Sequence, residues 1–260
     1  RAWALMPLGQ MILRFVHGRS GEDGLLAADR ALALDANLAE AHAVKARILS
    51  EGGRHDDASA EIEVALRLDP ESYEVNRAAA YLRFRQKRLH ESILHFEKAL
   101  ALMETDVSSA NMLMTCYLAV GDGEAAHRAA QITLDRAQKT LAQDPSNGAA
   151  MGFCCYALAL LGQAESAKGW MSRALLIDPE NINMRYNFAC ALTTHLKDVD
   201  GAIELLGLLL EKISIGLLNH AKADPDLDPL RDDPRFQAMV AAAEARLATA
   251  GDSRVLPAPH

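Results

Sequence analysis

One short phrase recurs in this chain, and its spacing limits the fold more than any other feature. Ala65-Leu66-Arg67-Leu68-Asp69-Pro70 is its clearest copy. Ala31-Leu32-Ala33-Leu34-Asp35-Ala36 stands 34 residues earlier, and Ala99-Leu100-Ala101-Leu102-Met103-Glu104 stands 34 residues later with the Asp-Pro eroded. Leu141-Ala142-Gln143-Asp144-Pro145 and Ala174-Leu175-Leu176-Ile177-Asp178-Pro179 are again 34 residues apart. The step from Glu104 to Pro145 is 41 residues, one period plus seven. A fixed period of this size marks stacked units that cannot bury their apolar faces alone. Ala and Leu carry the end of a helix, and Pro stops it because it has no N–H and its ring clashes with the preceding turn. The chain is therefore expected to be one elongated array without a single central core.

Composition agrees. Apolar residues make up 50% of the chain. Ala and Leu dominate while β-branched residues are sparse, which favours helix over strand. The formal charge of −8 argues against a nucleic-acid binder, which would show a basic face, and against docking on anionic lipid. Cys116, Cys154, Cys155 and Cys190 have no C-x-x-C spacing and read as reduced thiols of a cytoplasmic protein. The chain starts at Arg1, so it reads as a piece of something longer. The longest uncharged run is Pro145–Ala164. Its apolar centre, Ala149–Leu161, suits a buried helix and is too short to span a bilayer, so no membrane insertion is expected.

The repeats can be followed in order. The first has a helix near Pro7–His17, a turn at Gly18–Gly24 and a second helix to Leu34. The second starts at Asn37, with Glu40 three residues on as in a capping box. It turns at Gly52-Gly53 and continues with Ala58, Ile62 and Ala65 at helical spacing. Ser92, Phe96 and Ala99 hold the corresponding places in the third. The fourth turns at Gly121-Asp122-Gly123, and its second helix runs long, because Ala126, Ala130, Thr133, Ala137 and Leu141 keep one face. Seven extra residues are about two helical turns. The fifth turns at Gly162, with Ala167, Met171 and Ala174 following. In the sixth, Ala202, Leu206 and Leu209 fit if one residue is inserted before its second helix. Small residues stand at the tight crossing within a pair, at Ala46, Ala80, Cys155 and Ala189. Ile12 and Met114 depart from that rule.

After Glu211 the pattern changes. Ile213–Ala223 can form another helix, but the Asp-Pro-rich stretch Asp224–Pro234 cannot be regular helix. Asp233 then caps a last helix with Pro234 in its first turn. Phe236, Met239, Val240, Ala243 and Leu247 give that helix one apolar face, which suits closure of a solenoid end. The expected division is an array over residues 1–212, a closing segment over 213–247 and a disordered tail over 248–260.

The period, turn glycines, small crossing residues and terminal prolines resemble a tetratricopeptide repeat (TPR) array. That resemblance implies an all-α, TPR-type right-handed α-solenoid of about six helix pairs plus a C-terminal capping helix. Tyr186-Asn187-Phe188-Ala189-Cys190, followed by Asp224-Pro225-Asp226-Leu227-Asp228-Pro229-Leu230 and Asp233-Pro234-Arg235-Phe236, resembles the closing segment of bacterial TPR regions. Such regions commonly sit behind a class III adenylate cyclase catalytic domain and sometimes behind a protein kinase. It implies a cytoplasmic interaction or regulatory module of a signalling enzyme. These 260 residues carry no cyclase motif, so the activity is not carried over. TPR regions that bind chaperone tails use a clamp of Lys and Asn. Here Arg47, Arg77, Asn111 and Asn187 stand there without the lysines.

In a TPR superhelix the first helix of each pair lines the concave surface. The register puts Arg47, Arg77, Tyr81, Phe84, Arg85 and Asn111 there, with Thr115, Phe153, Tyr156, Tyr186 and Asn187. Aromatics and Arg give large contact areas with polar tips, as binding hot spots do, and Asn can hydrogen-bond an extended backbone. Packing between repeats is the competing reading for the aromatics.

Other motifs read as structure. Gly121-Asp122-Gly123-Glu124-Ala125-Ala126 matches a dinucleotide fingerprint but follows a helix, whereas the fingerprint needs a strand. His90-Glu91 and His95 are one residue too far apart for H-E-x-x-H, so their imidazoles diverge by about 140°. Adjacent Cys154 and Cys155 point to different sides of a helix. Asp224–Asp233 lacks the glycine and spaced Glu of a calcium loop and reads as turn formation and capping. The expectation is a non-catalytic protein–protein interaction scaffold with a peptide in an open concave groove, and with no cofactor or metal. The alternatives are a homo-oligomerisation module and a small-ligand sensor region.

Overall fold

The computed structural model describes residues 24–252 of the chain. The expected helix near Pro7–His17, the crossing residue Ile12 and the residues from 253 onward lie outside that range. Among the described residues there are helices and turns and no strand. In order they are α1 (Gly24–Leu34), α2 (Ala39–Glu51), α3 (His55–Leu68), α4 (Tyr73–Arg85), α5 (Leu89–Leu102), α6 (Val107–Ala119) and α7 (Gly123–Gln143). Then follow α8 (Gly148–Leu160), α9 (Ala164–Ile177), α10 (Ile182–Ala191), α11 (Val199–Leu210), α12 (Ile215–Ala223) and α13 (Pro234–Asp252).

Helices pair in sequence, α2 with α3 through α10 with α11, and the first helices stack on one another, α2 on α4, α6 on α8 and α8 on α10. The second helices present the repeating stripe inward. Ala58, Ile62 and Ala65, then Ser92, Phe96 and Ala99, then Ala126, Ala130 and Ala137 are all fully buried. Spacings of three and four residues put each set on one face. The crossing residues Ala46, Ala80, Cys155 and Ala189 are buried as well, and so is Met114.

The recurring Asp has a physical task beside that of the Pro. Asp35, Asp69 and Asp144 each accept a hydrogen bond at Oδ1 from the backbone N–H two residues on, at Asn37, Glu71 and Ser146. This Asx-turn redirects the chain out of one helix. A second side chain then caps the next helix: Ser72, Asp106, Asn147 and Asn181 accept from the N–H groups of Val75, Ser109, Ala150 and Met184. These bonds satisfy donors that a helix start leaves orphaned. The capping box expected at Asn37 does not form. Helix α2 starts at Ala39 with Leu38 at the cap and no side-chain cap bond, because Asn37 is spent inside the Asx-turn.

The turns within pairs need a left-handed residue, which Gly53, Gly121 and Gly162 supply at φ of 82°, 84° and 76°. Helix α7 carries the seven extra residues and reaches 21 residues. Its added turns place Arg136, whose Nη1 donates to the carbonyls of Met103 and Asp106, each at 3.0 Å. The extension therefore holds the eroded copy of the repeat phrase together, where Asp-Pro is missing. The one-residue insertion in the last pair is taken up as a π-turn over Leu192–Leu196, followed by left-handed Lys197. A π-turn absorbs one extra residue without breaking the helix.

Helix α13 packs on α11 and α12. Phe236 and Ala243 are buried there, with Met239, Val240 and Leu247 packed around them. It continues to Asp252, so Ala248–Asp252 is helical where a disordered tail was expected. Ala248 follows Leu247 directly, and Ala is the strongest helix former, so the helix propagates past the expected end.

Candidate functional site

The inner wall is built from α2, α4, α6, α8 and α10, but it is not open along its length. The chain returns onto it. Helix α12 packs against α2 and α4, and a 3₁₀ segment over Pro225–Leu230 packs against α6 and the π-turn. We call this stretch, Ile215–Leu230, the strap. Gly216 lets it approach closely: a Cβ there would meet Glu51 Cβ and Cγ at 3.1 Å. Asn219 Nδ2 donates to the Glu51 carbonyl at 2.8 Å. Leu227 and Leu230 are fully buried anchors.

Polar groups lock the strap. Tyr186 Oη donates to Asp224 Oδ2 at 2.6 Å. Asp226 Oδ2 accepts from Tyr156 Oη at 2.6 Å and from Thr115 Oγ1 at 2.9 Å. Asp224 Oδ1 also accepts from the Asp226 N–H, and Arg231 Nη2 donates to the carbonyls of Ala221 and Asp224. His220 stacks on Phe84, with ring centroids 5.0 Å apart and planes 24° apart, between Tyr81 and Tyr186. Its Nε2 stands 3.7 Å from Asp224 Oδ2.

Burial sets the ionisation of these groups. It pushes the His220 imidazole down to about 3, with the charges of Arg85 and Arg47 adding to the effect, so the ring is neutral at pH 7. It pushes the Asp224 carboxyl up to about 6. Asp226 is raised well above the usual carboxylate range by burial and then by the neighbouring Asp224 charge. Two carboxylates this close resist double ionisation. Burial also raises the phenols of Tyr156 and Tyr186 well above 10, so both remain hydrogen-bond donors.

Tyr81 organises the other side. The guanidinium carbons of Arg47, Arg77 and Arg85 lie 5.5, 5.4 and 5.8 Å from its ring centroid. That is within cation–π range. Its hydroxyl meets Ser108 Oγ at 2.8 Å. Arg47 Nε donates to Glu51 Oε1 at 3.3 Å, and Arg85 Nη1 donates to Ser50 Oγ at 3.3 Å. Burial lowers the affinity of Arg47 and Arg85 for their protons, and at Arg47 the Arg77 charge adds to this. Arg77 Nε is buried without a hydrogen-bond partner.

Between wall and strap lies a cavity of about 220 Å³. Eight of the eleven expected groove residues line it: Arg47, Arg77, Tyr81 and Asn111, and Thr115, Phe153, Tyr186 and Asn187. The other three are elsewhere on the wall. Phe84 is fully buried under His220, Arg85 reaches toward Ser50, and Tyr156 is engaged with Asp226. Sequence reasoning missed Ser108, Met112, Asn183 and Cys190 on the wall, and Leu217, His220, Asp224 and Asp226 on the strap. A histidine in an apolar helix followed by carboxylates alternating with prolines was a usable signal, because such groups need buried partners.

The remaining motifs are structural. His90 is exposed while His95 Nδ1 meets Asn76 Oδ1 at 3.1 Å. Gly121 and Gly123 flank the Asp122 cap of α7, after a helix. Cys154 and Cys155 are buried free thiols, each pushed up to about 12 by burial. Cys190, Asp224 and Asp226 bring one ligand atom each within 4.8 Å of the others, but Asp226 already accepts two hydroxyl bonds there.

No family model matches the chain, and no curated protein matches it. Solved structures do. One from the functional characterisation of Pseudomonas aeruginosa PilF superposes at a TM-score of 0.51 with 18% identity, covering 85% of this chain and 94% of that one. The human IFIT1 dimer with m7Gppp-AAAA superposes at 0.59 with 16% identity, covering 96% of this chain and 60% of that one. YrrB, described as a TPR protein with an unusual peptide-binding site, aligns over 84% of this chain and 98% of its own at 19% identity and a TM-score of 0.45. The fold is a TPR-type right-handed α-solenoid. At these identities the likeness concerns the fold alone. What sets this TPR solenoid's inner wall is its own strap. Among the described residues, no helix is long and apolar enough to cross a membrane.

Proposed function

We propose that this chain is a non-catalytic binding scaffold whose binding surface is the cavity between the inner wall and the strap. The observation that carries this reading is the cavity's lining. Arg77 on the wall, Asn111 beside it and His220 on the strap each present a buried polar atom without a partner, around aromatic faces from Tyr81, Phe153 and Tyr186. Orphaned buried polar groups are costly, and a bound molecule that satisfies them recovers that cost. The carboxylates and the imidazole hold the strap in place, which favours binding over catalysis. A polypeptide laid along the whole wall would have to displace the strap, whereas a short stretch or a side chain of a partner fits the cavity.

The scaffold is proposed as the interaction or regulatory region of a larger signalling protein, such as a bacterial class III adenylate cyclase. The two separate parts of the closing motif, Tyr186–Cys190 and Asp224–Leu230, touch through the Tyr186–Asp224 hydrogen bond. That contact joins the two stretches that carry the resemblance, which supports reading them together. A peptide-display selection against the chain tests the scaffold reading, repeated with Tyr81→Ala and Arg77→Met. Enriched peptides that bind both variants as well as the wild type would refute it. A flanking catalytic domain of another class in the open reading frame would refute the cyclase context.

A further inference from the structure

The cavity has two unlike ends. Arg47 and Arg77 come from α2 and α4, at the start of the wall. Asp224 and Asp226 are held against its later helices, through Thr115 on α6, Tyr156 on α8 and Tyr186 on α10. Among the described residues, no Lys or Arg side chain forms an ion pair with either carboxylate, and Arg77 forms none with any carboxylate. Arg77 at one end and the two carboxyls at the other are thus held inside one cavity without an ion-pair partner of Lys, Arg, Asp or Glu, which is costly unless a bound group supplies it.

The amides between the ends add direction. Asn187 Nδ2 donates to the Asn183 carbonyl at 2.9 Å, and its Oδ1 accepts from Asn111 Nδ2 at 3.4 Å. That chain fixes the orientation of both amides. It leaves Asn111 Oδ1 buried and without a donor, in a side chain only 7% exposed. The acceptor asks for an N–H or O–H from a ligand, while Arg77 Nε asks for an acceptor.

We infer that the cavity holds a small zwitterion of amino-acid size, with its carboxylate on Arg77 and Arg47 and its ammonium on Asp224, Asp226 and Asn111. This rests on the reading of the cavity as the binding surface. Size agrees: an apolar cavity of about 150 Å³ accepts benzene, so a cavity of about 220 Å³ takes roughly nine heavy atoms. The tyrosine and phenylalanine faces suit the short aliphatic stem between the charges. Burial holds both carboxyls above the usual carboxylate range, the Asp224 charge adding to this at Asp226, so an arriving ammonium favours release of a proton from the pair to buffer.

Calorimetric titration of the full 260-residue chain tests this, with free L-amino acids, 4-aminobutyrate and glycylglycine as probes of different charge separation. At least one is expected to bind saturably, with proton release seen as a dependence on buffer ionisation enthalpy. Its N-acetyl and carboxamide derivatives are expected to bind at least tenfold more weakly, and so is the parent probe to Arg77→Met, with Arg77→Lys in between. The blocked derivatives act on the unaltered protein, so the test does not depend on a variant folding. No binding by any probe at 10-fold above about 1 mM, typical of weak ligands, would overturn the inference. So would equal binding of blocked and free forms. If display-selected peptides still require Tyr81 and Arg77 while no zwitterion binds, the inference fails and the scaffold reading stands; if neither binds, both fail.

Discussion

Replacing His220 by Phe should make docking of the strap less sensitive to acid. The imidazole is 6% exposed and stacked on Phe84, so Phe keeps the packing and removes the titration. The charged groups facing the ring are Arg47 and Arg85 from α2 and α4 and Asp224 from the following turn. The pKa of the folded state is lowered from 6.5 to about 3. The neutral ring therefore contributes stability that is fully present above pH 6.5 and is lost as pH falls toward 3. Between pH 7.5 and 5.0 the unfolded or undocked ring gains a proton that the docked ring refuses. That is about 1.5 pKa units, or about 2 kcal/mol, and about thirtyfold in the opening equilibrium. Hydrogen exchange over residues 215–223, corrected for intrinsic rates, reads this opening locally. A local readout is needed because repeat arrays need not unfold in one step. The difference in opening free energy between His220→Phe and wild type should grow by about 2 kcal/mol in favour of the variant from pH 7.5 to 5.0. Other titrating groups cancel in that difference. A difference independent of pH would refute the buried, neutral imidazole.

Asp224 should act in the opposite sense. Its folded pKa is raised to about 6, so its contribution is present below pH 4 and lost as pH rises through 6. The advantage of Asp224→Asn over wild type, measured by the same exchange, should rise by up to about 3 kcal/mol across that window. Tyr156→Phe deletes a buried donor to Asp226 and should weaken docking by about 1 kcal/mol at pH 7.5, as loss of a buried hydrogen bond does. Gly216→Val puts methyl groups into Glu51 and should cost about 1–3 kcal/mol, read as faster exchange in α12. Arg136→Ala frees the carbonyls that close α5 and should lower stability by about 1–2 kcal/mol in urea unfolding, while leaving α12 exchange unchanged. Cys154 and Cys155, buried with thiols pushed up to about 12, should resist a thiol reagent at pH 8 in the folded chain and react in urea.

The array was legible because its signals are local. A period of 34 residues, turn glycines at 53, 121 and 162, and small residues at the crossings of Ala46, Ala80, Cys155 and Ala189 all act between neighbours in sequence. The long α7 and the extra residue before α11 could be counted directly. The register also placed Arg77, Tyr81, Asn111 and Tyr186 on one face, since helical spacing alone decides which side chains point together. What stayed hidden was the return of residues 215–230 onto that face. Tyr186 meets Asp224 across 38 residues, and Asn219 meets Glu51 across 168. No period announces such a contact. The Asp-Pro alternation from Asp224 read as turn chemistry, and Asp224 does accept from the Asp226 N–H in that way. Its second oxygen carries the long-range bond, and a turn reading has no means of seeing it. Asn37 shows the opposite failure: Asn with Glu three residues on fits a capping box, but Asp35 reached its N–H first.

The strap's position on the inner wall is the point on which the cavity, its two charged ends and the pH behaviour all depend. Nuclear Overhauser contacts between the rings of His220 and Phe84 measure it directly. Centroids 5.0 Å apart should give cross-peaks between the two rings at pH 7.5. A well-folded chain in which those cross-peaks are missing, with His220 titrating near pH 6.5, would contradict it.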